Sequence, residues 1–75
     1  MKYSRVWVCR LRTLMEERNL KQLEVSEKTG IAVSTLSRLS NNNFNRIDIG
    51  TLSTLADFFE IENSNDLFGF DLKPQ

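Results

Sequence analysis

Gly30 is the residue that most narrows what this chain can fold into. It stands between two short segments of helical periodicity, residues 22–29 and 33–40. Glycine at such a junction can take the left-handed conformation that ends one helix and redirects the chain. Before it, Gln22 opens the first segment, Val25 points inward, and Ser26 is small enough to let a second helix approach. After it, Ile31 plugs the turn, and Leu36 and Leu39, three apart, anchor the second helix on one face. Val33, Ser34, Ser37 and Arg38 are left pointing outward. The spacing predicts a helix-turn-helix over residues 22–39.

The rest of the chain reads mainly as further helices. Val8, Leu11, Leu14 and Met15 recur at helical spacing and predict a first helix over residues 8–19. Asp48, helped by Thr51, is the expected N-cap of a fourth helix reaching Phe59, with Leu52, Leu55, Ala56 and Phe59 as its buried stripe. Ser64 or Asn63 caps a short fifth helix ending near Phe68. Between the third and fourth helices, Asn41 to Arg46 form a polar loop with Phe44 as its aromatic anchor.

Both ends carry an alternating pattern instead. Val6 and Val8 fall on one side and Trp7 on the other, while Phe68, Phe70 and Leu72 alternate with Gly69, Asp71 and Lys73. These ends either pair as two short strands, within one molecule or across a dimer, or fray. The expected fold class is all-α, a five-helix bundle in a single domain over residues 1–75, with β pairing of the chain ends as an option.

Composition excludes several function classes. The chain has no histidine and one cysteine, Cys9. The usual metal clusters and histidine-based catalytic arrangements are therefore unavailable, and no internal disulfide can form. Glycine-rich phosphate loops are missing as well. No catalytic residue, metal or cofactor is expected, and the chain does not read as an enzyme. Without a secretory h-region or a long apolar run, it reads as cytoplasmic with no membrane partner.

The formal net charge is zero, but its distribution is not even. Residues 1–46 hold nine basic side chains against four acidic ones, a balance of +5. Residues 47–75 hold one against six, a balance of −5. A small dipolar domain of this kind can turn its basic end toward phosphates. The outward face of a helix-turn-helix fits the major groove of DNA.

Taken in order, these residues resemble the lambda-repressor-like family of helix-turn-helix domains, the Cro/XRE-type regulators. The matching text is Leu11 to Met15, Asn19-Leu20-Lys21-Gln22, Glu27-Lys28-Thr29-Gly30-Ile31 and Ser34-Thr35-Leu36-Ser37-Arg38-Leu39. It continues through Ile47-Asp48, Thr51-Leu52, Leu55-Ala56 and Asp66-Leu67-Phe68, covering roughly residues 8–68. The resemblance implies a five-helix all-α bundle that binds double-stranded operator DNA, usually as a homodimer. Short members of this kind resemble phage Cro-like regulators, antitoxins and mobile-element control proteins.

Carried over by position, the resemblance gives Gln22 a phosphate contact at the start of the second helix. Val33, Ser34, Ser37 and Arg38 fall where family members read base edges, and Thr35 at a packing or backbone-contacting position. Asn41, Asn43 and Arg46 fall in the loop that grips the sugar-phosphate backbone. Arg38 can donate two parallel hydrogen bonds to guanine O6 and N7, worth about 1–3 kcal/mol of discrimination.

Three departures stand out. Lys21 and Ala32 replace the usual Thr or Ser caps, each at a cost of about 1 kcal/mol, with Glu24 compensating in part at the second helix. Met15 and Ser40 stand where many members pair an arginine with a glutamate. Val33 and Ser34 lack the reach of Gln or Asn. The expected function is a small transcriptional repressor acting as a homodimer on a palindromic operator through the recognition helix 33–40. The alternative is a protein-interaction module on the same fold, with a toxin or antirepressor as partner.

Overall fold

The computed structural model describes residues 2–74. Met1 and Gln75, the outermost residues of the domain drawn from the sequence, lie outside the described residues. In chain order the elements are β1 (Tyr3–Cys9), α1 (Leu11–Glu17), α2 (Gln22–Thr29), α3 (Val33–Ser40) and α4 (Ile49–Phe58). A 3-10 turn (Ser64–Asp66) and β2 (Phe68–Pro74) complete the described chain. α2 and α3 have the bounds that the apolar spacing predicts.

Two expectations are corrected. The first helix begins at Leu11, not Val8, because Val8 and Cys9 are extended in β1 and the Arg10 N–H bonds the Leu67 carbonyl at 2.7 Å. The fifth helix is the single 3-10 turn, capped by the Asn63 side chain, which accepts from the Asn65 N–H at 3.0 Å. With four α-helices and an antiparallel β1–β2 sheet among the described residues, the fold mixes α and β and is not a five-helix all-α bundle. The option of pairing the chain ends is realised within one molecule, with Trp7 opposite Phe70 and Cys9 opposite Phe68.

The four helices all end on a left-handed residue. Gly30, at φ 80°, donates its N–H to the Ser26 carbonyl at 2.8 Å and turns the chain toward α3. Thr29 fastens the turn, its hydroxyl donating to the Val25 carbonyl and accepting from the Ile31 N–H. Asn19, Asn42 and Glu60 have φ of 55°, 57° and 55°. Each sits in a Schellman motif, in which the following N–H reaches back to Met15, Arg38 or Ala56 respectively. The starts are less uniform. Asp48 accepts from the Thr51 N–H and hydroxyl through Oδ2, as its sequence position predicts. At α2, Glu24 Oε1 accepts the Lys21 N–H at 3.0 Å, half of a capping box. Ala32 gives α3 no side-chain cap.

The core is built from Leu11, Leu14 and Met15 of α1, Val25 of α2, Leu36 and Leu39 of α3, and Leu55 of α4, closed by Phe59, Leu67 and Cys9. Leu52 and Ala56 of the predicted α4 stripe are only half-buried. Full burial of one Leu or Val side chain is worth about 1.5–3 kcal/mol, so these few side chains supply most of the drive to fold. Burial pushes the Cys9 thiol above its ordinary value near 9.0, against a smaller opposing pull from a backbone hydrogen bond at Leu11.

The ribbon is fixed to the helices at its base. The Cys9 N–H donates to Asn42 Oδ1 at 2.7 Å, and the Phe68 ring lies 5.9 Å from Phe44. On the far side Arg10 bonds the Asn65 carbonyl at 2.9 Å and pairs with Asp71 at 3.5 Å.

Candidate nucleic-acid interface

Burial of Leu36 and Leu39 sets the rotation of α3 and therefore what it shows to solvent. Val33, Ser34 and Arg38 are exposed, as their positions predict, while Ser37 is half-buried. Arg38 makes no ion pair among the described residues, although Glu24 and Glu27 lie on the neighbouring helix. Its guanidinium therefore stays available. Gln22 is the first residue of α2 and half-buried, and its side chain makes no hydrogen bond within the described chain. The first N–H groups of a helix lack intrahelical acceptors, so this end of α2 can offer donors to an anion.

Past α3 the chain turns sharply and brings the loop beside the helix. Thr35, Arg38, Asn43, Arg46, Asp48 and Thr51 line one concave cleft of about 410 Å³. Two guanidiniums face it with one carboxylate, and that carboxylate is held by Thr51 as the cap of α4. Gln22, Val33 and Ser34 lie outside the cleft. The sequence-predicted residues thus fall into two groups, one around the start of α2 and α3 and one around the end of α3.

The three loop asparagines divide their work. Asn42 is occupied by the β1 backbone. Asn43 gives its N–H to the Arg38 carbonyl at 2.8 Å and leaves its side chain exposed. Asn41 is exposed, and its Oδ1 accepts a hydrogen bond from Arg12 Nη2. Arg12 is an exposed residue of α1. The contact brings a third guanidinium beside the loop, and nothing in the local pattern at Arg12 signals it.

A separate cleft of about 550 Å³ gathers Glu17, Glu60, Glu62 and Asp66 around Arg10 and Arg18. Three of the six acids of residues 47–75, Glu60, Glu62 and Asp66, are thus gathered at that cleft, while Asp48 is the one carboxylate lining the Arg38–Arg46 cleft. Where the resemblance expects an ion pair, Met15 and Ser40 are both buried, and the Ser40 Oγ has no partner among the described residues. No helix among the described residues is long and apolar enough to cross a membrane.

Comparison with known proteins agrees with this geometry. The crystal structure of a "putative DNA-binding protein from Bacteroides fragilis" superposes with a TM-score of 0.71 at 17% identity, covering 85% of this chain and 100% of that one. At that identity the likeness is one of fold. No curated protein matches the chain. The family model described as the Cro/C1-type HTH DNA-binding domain matches residues 10–73, from the residue before α1 almost to the end of β2. The chain belongs to the Cro/C1-type helix-turn-helix DNA-binding family.

Proposed function

We propose that this protein is a sequence-specific transcriptional regulator, a small repressor that binds a palindromic operator as a homodimer through α3. The observation that carries the reading is Arg38, without an ion pair among the described residues, exposed at the end of α3 and facing the same cleft as Arg46 and Asn43. In this reading Arg38 reads a guanine edge, Val33 packs on a thymine methyl, and Ser34 and Ser37 bond base edges or phosphate. Gln22, Asn41, Asn43 and Arg46 hold the sugar-phosphate backbone and fix the register of α3. Two copies set α3 into successive major grooves about 34 Å apart.

Fluorescence anisotropy on a random-sequence duplex pool at several salt concentrations, with sequencing of the bound fraction, tests this. Wild-type binding is expected to weaken steeply with salt and to enrich a palindrome. Arg38→Ala is expected to lose between about fivefold and a hundredfold in affinity for the enriched site, with the motif relaxed at one position per half-site. No binding at low salt by folded protein overturns the DNA reading and leaves the protein-interaction module.

A further inference from the structure

The six arginines divide by what they meet. Arg10 pairs with Asp71 and Arg18 with Glu17, and both line the cleft that gathers four acids. Arg5 lies on the ribbon, 5.2 Å over the Phe70 ring. Arg12, Arg38 and Arg46 have no ion pair among the described residues, and all three come to the segment from Arg38 to Arg46. They reach it from two flanks. Arg38 and Arg46 face the cleft beside α3. Arg12, from α1, lines a hollow of about 280 Å³ with Thr13, Ser40 and Asn42, which shares no residue with that cleft. The one carboxylate in this hollow, Asp71, is held by Arg10 at 3.5 Å.

Arg12 bonds a neutral group. Its Nη2 donates to Asn41 Oδ1, so its positive charge stays uncompensated. Glu16 stands four residues along α1, a spacing that brings helical side chains together, yet the guanidinium turns to the loop instead. The same bond sets how Asn41 presents its amide. With Oδ1 given to Arg12, the two N–H donors on Nδ2 are left, and they have no acceptor among the described residues.

We infer that Arg12 and Asn41 form a second backbone-phosphate site, so that one DNA strand is gripped on both flanks of the loop after α3. This rests on the DNA part of the proposed function and adds a residue of the first helix to the surface. The Arg12 guanidinium faces the phosphate oxygens, and its bond to Oδ1 holds the Asn41 amide with its N–H donors toward the same group. A guanidinium beside an amide is a set of donors only, which suits a phosphate and repels no part of it. A strand fits better than a small anion. Three like charges around one loop repel one another, and a single small anion in either hollow leaves the other flank uncompensated. A nucleic-acid strand repeats its charge about every 3.4 Å of helix axis and can serve both. Nor does Asp48 serve, since its Oδ2 accepts from Thr51 and not from a guanidinium.

A neutralisation cycle with the full chain tests this. Each phosphate of one duplex from the enriched pool is replaced in turn by an uncharged methylphosphonate. Wild type is expected to lose about eightfold in affinity near 0.1 M salt for each phosphate that a guanidinium holds, as one counterion contact disappears. Arg12→Gln should lose a similar factor per bound copy on the unmodified duplex, with a shallower salt dependence and an unchanged sequence motif. Neutralising one particular phosphate per bound copy should then cost Arg12→Gln nothing further. Arg12→Lys keeps the charge and should restore most of the salt dependence. Arg5→Gln removes the same charge from the ribbon and should stay fully sensitive at that phosphate.

Circular dichroism melts show whether each variant is folded, and Asn41→Ala replaces Arg12→Gln in the cycle if the latter is not. If every phosphate costs the folded variant what it costs wild type, the inference is overturned. A lower melting temperature with unchanged salt dependence also overturns it, and makes the Arg12–Asn41 bond a structural tie. In either case, wild-type binding that depends on Arg38 leaves the DNA reading standing. Folded wild type that binds no duplex at low salt overturns both.

Discussion

Ser40 is buried, and its hydroxyl has no hydrogen-bond partner among the described residues. A buried hydroxyl without a partner carries its desolvation cost and returns no hydrogen bond. Ser40→Ala keeps the shape of the site and removes that cost. Stability is expected to stay level or rise by up to about 1 kcal/mol, read as a higher urea midpoint at unchanged slope. Arg38 is the opposite case, an exposed charge with no ion pair among the described residues. Its outward direction was legible from sequence because Leu36 and Leu39 fix the buried face of α3. Arg46 was expected in the contacting loop, but its place across the cleft beside Thr51 was not legible, since the turn at Asn42 decides how the loop returns.

At the scale of elements, helix ends were easier to place than strands. Gly30 and Asp48 announce a stop and a start through local chemistry, and both behave accordingly. Glu60 does not announce itself. A residue with a Cβ takes the left-handed conformation at a cost of roughly 1–2 kcal/mol, offset here by the Schellman bonds that close α4. Glu60→Gly should therefore stabilise the protein by about 1 kcal/mol, seen as a rise in Tm. Val8 misled for a related reason. It suits the apolar face of a helix as well as a strand, and a short apolar run has no periodicity to choose between them. The choice is made 61 residues away, by pairing with Gly69.

Across the whole molecule, the ribbon and the recognition helix act as one body through Asn42. Asn42→Gly keeps the left-handed turn and removes only the side-chain acceptor for the Cys9 N–H. The expected cost is about 1–3 kcal/mol, that of a partly buried donor left unpaired. Amide exchange should quicken through β1 and β2 and change little in the middle of α2 and α3. Equal acceleration in every element would mean that the ribbon is not a separately anchored layer. Charge is arranged at the same scale. The two halves of the chain differ in sign, and folding gathers four acids with two guanidiniums around one cleft and two guanidiniums with one acid around another.

By itself the sequence determined the helix-turn-helix, the exposure of Val33, Ser34 and Arg38 and the caps at Gly30 and Asp48, because those depend on contacts within a few turns of one chain. Only the tertiary structure decided that the ends pair with each other inside one molecule, that Arg12 reaches Asn41, and that Asn42 ties the ribbon to α3. Those contacts join residues 29 to 71 positions apart. No local preference specifies such a partner, and the packing of the whole core has to bring it within reach.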